Sequence, residues 1–123
     1  MTIRRVVPNI KSDRTDQSRE FYVDVLGFQP VMDMGWIVTF ASPVNPTAQI
    51  SVVRPGGSSR PHPDVTVEVA DVDQVHARAV ERGVEIVYPL TDEPWGVRRF
   101  FAVDPNGTVV NVMSHLPGPA APA

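Results

Sequence analysis

Asp64 and Glu68 stand four residues apart in the β-branched run 64–69, a spacing that puts both carboxylates on one face of a strand. On an inward face either is a candidate general base. Gln49 and Asn111 lie in two other β-branched segments, and each amide carries a donor and an acceptor able to fix an organic molecule. Arg98 is expected on an inward face, where a guanidinium is costly unless paired; its partner is either a ligand or Glu68. Trp36, Phe40, Trp95 and Phe100 offer aromatic faces for stacking, with Val38 and Met113 as apolar contacts beside them. For Trp36, Phe40, Phe100 and Met113 the alternative is plain core packing. Trp95 precedes Gly96 in a loop, where an aromatic closes over a cavity or packs at a dimer contact.

Two histidines complete the inventory of reactive groups. By alternation His115 shares the face of Asn111, and His62 shares that of Asp64 if that strand starts early. His62, Asp64 and His115 are thus a conceivable divalent-metal set. Histidines in linkers and at strand ends are commonplace, however, and the preferred reading has no metal and no other cofactor. His76, away from the main stripe of its helix, is expected to face solvent.

Composition narrows the chemistry. The chain has no cysteine, which excludes disulfides, thiolate nucleophiles and thiolate metal sites. Eleven basic and fourteen acidic residues give a formal charge of −3, without a basic cluster longer than Arg4-Arg5 or Arg98-Arg99, so nucleic acid is an unsuitable partner. The first twenty residues are polar and no apolar run is long enough to span a bilayer, so a cytoplasmic protein with no membrane contact is expected. Nucleophile-elbow, phosphate-loop and dinucleotide motifs are missing from the sequence.

The elements that must position these residues come in duplicate. Laid on itself with an offset of 62, the chain puts Ser42-Pro43 over Asp104-Pro105, Gln49 over Asn111 and Trp36 over Arg98. Upstream the offset is 58: Asp13 falls on Asp71, and each opens a segment closed by a glycine, Gly27 or Gly83. Asp71 with Gln74 makes a helix N-terminus, and Val72, Val75, Ala79 and Val80 an apolar stripe. Phe21, Tyr22, Val25 and Leu26 form the equivalent stripe in the first copy, and Gly27 supplies a left-handed residue after it.

Eight segments alternate or run β-branched: 3–10, 28–32, 36–41, 48–53, 65–69, 84–88, 97–103 and 108–113. The chain is thus expected to be an α+β protein of two βαβββ modules in tandem. Module one is 1–55, a Gly-Ser-Pro linker is 56–63, module two is 64–116, and 117–123 is a disordered tail. If residues 104–107 form a four-residue hairpin loop, Arg98, Phe100, Asn111 and Met113 share one face. The 62-residue offset then gives Trp36, Val38, Phe40, Gln49 and Ser51 the matching face of module one.

The order of "REFYVDVLGF", "VADVDQVHARAVERG" and "RRFFAVDPNGTVVNVMSH" resembles the vicinal oxygen chelate superfamily across nearly the whole chain. That group includes glyoxalases, extradiol dioxygenases and bleomycin-resistance proteins. The resemblance implies two modules whose sheets curl around a shared cavity, often in a homodimer that exchanges modules. In the enzymes a divalent metal on the concave face is held by His, Gln or Glu. Counted from the motifs, the ligand positions here are Val6, Gln49, Asp64 and Asn111. One carboxylate, two amides and a valine are a poor set for a divalent ion.

The function expected is therefore metal-free binding of a small organic molecule, antibiotic-like, aromatic or cationic. Trp36 and Phe100 would stack on it, Gln49 and Asn111 would hydrogen-bond it, and Asp64 or Glu68 would meet its positive charge. The alternative is a lyase, isomerase or dioxygenase with a displaced metal site or a metal-free mechanism.

Overall fold

A computed structural model describes residues 2–54 and 61–117, so the glycine-serine part of the expected linker and most of the expected tail lie outside the described residues. In chain order the elements are β1 (Ile3–Lys11), α1 (Thr15–Arg19) continuing into a π-helical segment (Glu20–Val25), β2 (Gln29–Asp33), β3 (Ile37–Ala41) and β4 (Gln49–Val53). Then follow β5 (Val65–Val69), α2 (Val72–Glu81), β6 (Ile86–Glu93), β7 (Val97–Val103) and β8 (Val109–His115). The βαβββ pattern is present twice.

The strands form one open eight-stranded sheet in the order β2-β3-β4-β1-β5-β8-β7-β6. Its two halves are the two modules, and they join through the antiparallel pair β1–β5, with Val7 opposite Thr66 and Arg5 opposite Glu68. That seam lies within one chain. In each half the first strand lies parallel to the last, β1 with β4 and β5 with β8.

Each module keeps its own core on the helix-covered side. In module one Val38, Phe40 and Val52 pack under Tyr22, Val23 and Phe28, with Tyr22 stacked on Phe40 at 5.6 Å. In module two Val69, Val72, Phe100 and Val112 pack with Val75 and Ala79 of α2. Asp71 caps α2 as expected, its Oδ1 accepting from the Gln74 amide. Gly27 and Gly83 both take positive φ, closing the two helical segments as left-handed residues.

The helices depart from the expected stripes. The first starts at Thr15 rather than at an Asp13 cap; Ser12 Oγ, not Asp13, accepts the Arg14 amide. Its second half widens to i→i−5 bonding, with the Leu26 amide donating to the Phe21 carbonyl. Such a turn carries each residue further round the axis than a 3.6 spacing assumes. Tyr22 and Val23 therefore meet the sheet, while Phe21, Val25 and Leu26 are exposed. On α2, Val80 is likewise exposed. His76, expected in solvent, is half-buried with its ring 4.9 Å from that of Phe100.

Candidate functional site

The face of the sheet away from the helices lines a cavity of about 440 Å³. Its floor comes from the seam: Arg5, Val7 and Asn9 of β1 beside Thr66 of β5. Gln49, Ser51 and Val53 of β4 and Ile37 and Thr39 of β3 form one wall. Asn111, Met113 and His115 of β8 with Val97 and Arg99 of β7 form the other. Trp36 and Trp95 meet across it, ring centroids 5.8 Å apart and nearly edge to face. In a flat sheet β3 and β7, five places apart, would lie about 24 Å from one another. The sheet therefore curls until its flanks touch through the two indoles.

Several expected residues do line this cavity: Trp36, Gln49, Ser51, Trp95, Asn111, Met113 and His115. Others are turned away. Val38, Phe40 and Phe100 belong to the helix-side cores, and Arg98 forms ion pairs with Asp92 and Asp73 on the outer face rather than with Glu68. The cause is one residue in the β7–β8 hairpin. Val103 pairs with Val109, not with Thr108, and the Asp104 amide donates to the Thr108 carbonyl across a tight turn closed by Gly107 at φ +82°. The extra residue is a bulge of the kind that follows a type I turn, and a slip of one reverses every side chain. Carried across by the 62-residue offset, the same slip misplaced Val38 and Phe40: Ala41, not Phe40, faces Gln49.

Val6 shows the same one-residue error. It is exposed on the helix side of the parity, and Val7, 2% exposed, occupies the cavity floor. Asp64 is not part of the wall; its Oδ2 accepts the Val109 amide at 3.0 Å. His115 lies six residues beyond Val109 along β8, about 20 Å of strand away. The structure therefore does not bring together the set His62, Asp64 and His115. Among the described residues no cluster of three or more His, Asp or Glu is arranged to hold a metal ion. Val7 has no donor, and both ends of the Gln49 amide are used, Oε1 by Arg5 and Nε2 by the Pro46 carbonyl. These positions do not fit a divalent cation.

Electrostatics at the floor centre on Glu68. Burial alone would raise its carboxyl, but hydrogen bonds from Arg5 Nε and His115 Nδ1 outweigh that and hold it below the usual carboxylate range. Glu68 is thus an ionised partner with both oxygens engaged, a poor base. Burial holds the His62 imidazole below its ordinary value, outweighing the opposing pull of Asp64, with a smaller contribution from Lys11 in the same direction as burial.

The polar cavity residues absent from the sequence-based set are Arg5, Asn9, Thr39, Thr66 and Arg99. Arg99, 5% exposed, is ion-paired to Glu93 at 2.7 Å, and Tyr88 Oη donates to the same carboxylate oxygen. Its guanidinium carbon lies 5.2, 5.1 and 4.9 Å from the ring centres of Tyr88, Trp95 and Phe101. Thr66 Oγ1 accepts from both Asn9 Nδ2 and Asn111 Nδ2. Asn111 Oδ1 is buried in the cavity wall with no partner among the described residues.

The sequence model of the Glyoxalase/Bleomycin resistance protein/Dioxygenase superfamily matches residues 5–112. The chain belongs to this superfamily. Solved structures agree on the glyoxalase-type fold. A superfamily member from Vibrio splendidus 12B01 is 22% identical, with a TM-score of 0.69 over 92% of this chain and 99% of that one. Methylmalonyl-CoA epimerase from Mycobacterium tuberculosis is 21% identical, with a TM-score of 0.69 over 94% and 88%. A Legionella pneumophila protein described as an NAD-dependent benzaldehyde dehydrogenase is 17% identical, with a TM-score of 0.72 over 89% and 98%. No curated protein matches the sequence. No helix among the described residues is long and apolar enough to cross a membrane.

Proposed function

We propose that this superfamily member binds a small aromatic molecule in the cavity between its modules and does so without a metal. The observation that carries this reading is an open cavity with two facing indoles and a buried acceptor, Asn111 Oδ1, that has no partner among the described residues. A volume of about 440 Å³ lies in the range of pockets that hold organic ligands. A cavity packed with the protein's own side chains would not leave that space. An aromatic ring on Trp36 and Trp95, with a donor directed at Asn111, would satisfy both features.

No observation favours the enzyme alternative. Both oxygens of Glu68 are engaged, and Asp64, which holds the Val109 amide, is outside the cavity wall.

Isothermal titration of a library of bicyclic aromatic compounds into chelator-treated protein tests the proposal. Binders should be found at micromolar affinity, and Asn111→Leu should weaken them about tenfold or more while the melting temperature shows that the variant folds. Stoichiometric metal in protein purified without added metal, and binding that disappears with chelator, would sink the metal-free reading.

A further inference from the structure

The formally charged side chains that line the cavity are arginines, although the chain as a whole is acidic. Of fourteen acidic residues in the sequence none lines the cavity, whereas Arg5, Arg99 and His115 do. The two ion pairs there are oriented alike. Arg5 is in the wall while its partner Glu68 is not, and Arg99 is in the wall while Glu93 is not. A ligand therefore meets the positive ends of two fixed dipoles, held in place by the sheet before anything binds.

Arg5 has donors to spare. A guanidinium carries five N–H groups. One is given to Glu68 and one to Gln49 Oε1, which leaves three without a partner among the described residues. Gln49 is itself fixed by the Pro46 carbonyl, so the fork is clamped from both sides. Glu68 is shared with His115, which further reduces its hold on Arg5. Across the floor Asn111 offers a buried acceptor without a partner among the described residues, and the indoles offer the stacking surface.

We propose that the ligand is an aromatic anion, a carboxylate or an acidic phenol, with its ring against Trp36 and Trp95 and its charged oxygens on Arg5. A cationic ligand would face like charge on two sides, and the carboxylates offered to receive it, Asp64 and Glu68, are outside the wall. This inference rests on the reading that the cavity is the ligand site.

Three probes of one shape test it: naphthalene-2-carboxylate, naphthalene-2-carboxamide and naphthalen-2-ylmethylammonium, each titrated calorimetrically into the full-length protein. The carboxylate should bind at least about tenfold tighter than the carboxamide, and the ammonium weakest, since a charge-assisted bond adds at least that factor. Arg5→Gln should reduce the ratio of carboxylate to carboxamide affinity toward one. Equal or better binding of the carboxamide or the ammonium overturns the anion assignment and leaves the cavity reading standing. If none of the three binds, or if Trp95→Ala leaves all three affinities unchanged, the cavity reading falls and the anion assignment with it. Should Arg5→Gln melt below the assay temperature, the ranking of the three probes on unaltered protein decides alone.

Discussion

Arg98 and Arg99 are neighbours in sequence with opposite surroundings. Arg98 stands on the outer face with Asp92 and Asp73, exposed to solvent that screens both partners. Arg99 and Glu93 are an almost fully buried pair, enclosed by three aromatic rings. Removing one member of such a pair strands the other charge and typically costs about 3–5 kcal/mol. Urea unfolding should therefore show Arg99→Gln losing stability of that order and Arg98→Gln hardly changed. The reverse order would mean that the face of β7 is assigned backwards. From the sequence the two arginines were indistinguishable by type, and only strand parity told them apart. Asn111, Gln49, Trp36 and Trp95 were legible because their positions follow from the repeat and from loop context. Arg5 was not, because β1 was entered by counting back from Asp13 as the helix cap, whereas the cap is Arg14, one residue later.

The β7–β8 hairpin decides which side chains the second module offers to the cavity. Asp104 Oδ1 accepts the amides of Asn106 and Thr108, which fixes the turn, and Gly107 at φ +82° inserts the residue that shifts the register. A β-carbon at 107 would touch nothing within 4 Å, so substitution there is opposed by backbone conformation alone. Gly107→Ala is expected to destabilise the protein by about 1–2 kcal/mol in denaturant unfolding, with no change in compactness. A neutral result would show that the left-handed residue is not what holds the bulge. Element identity was far more legible than element orientation. All eight strands and both glycine-terminated helical segments follow from periodicity and punctuation, to within two residues at their ends except for β6, expected at 84–88 and running on to Glu93. Facing depends on whether a loop holds four residues or five, and the "DPNG" motif supports both lengths until the glycine is recognised as a bulge position. The first helix failed for a related reason: its stripe was drawn with a 3.6 period, and the chain there is wound wider.

At the scale of the molecule, the duplicated βαβββ architecture and a shared cavity could be anticipated, since matching modules with apolar outer faces must cover them with helices and leave the inner faces to each other. The curl of the sheet was implied by the family resemblance alone, because it arises from the summed twist of eight strands rather than from any one segment. The seam β1–β5 places the twofold relation of the modules at the centre of the floor, and the flanks return to touch at Trp36 and Trp95. Those are the two tryptophans of the chain, one from each module. Chromophores this close, inclined at 61°, share their excited states. The closed arrangement thus carries its own optical signature: a bisignate couplet in the ultraviolet circular dichroism. The couplet should vanish in Trp36→Phe and in Trp95→Phe alike, and its absence from the unaltered protein would show that the flanks stand apart. A molecule entering between the indoles would change its amplitude, so the fold reports on its own occupancy without any added label.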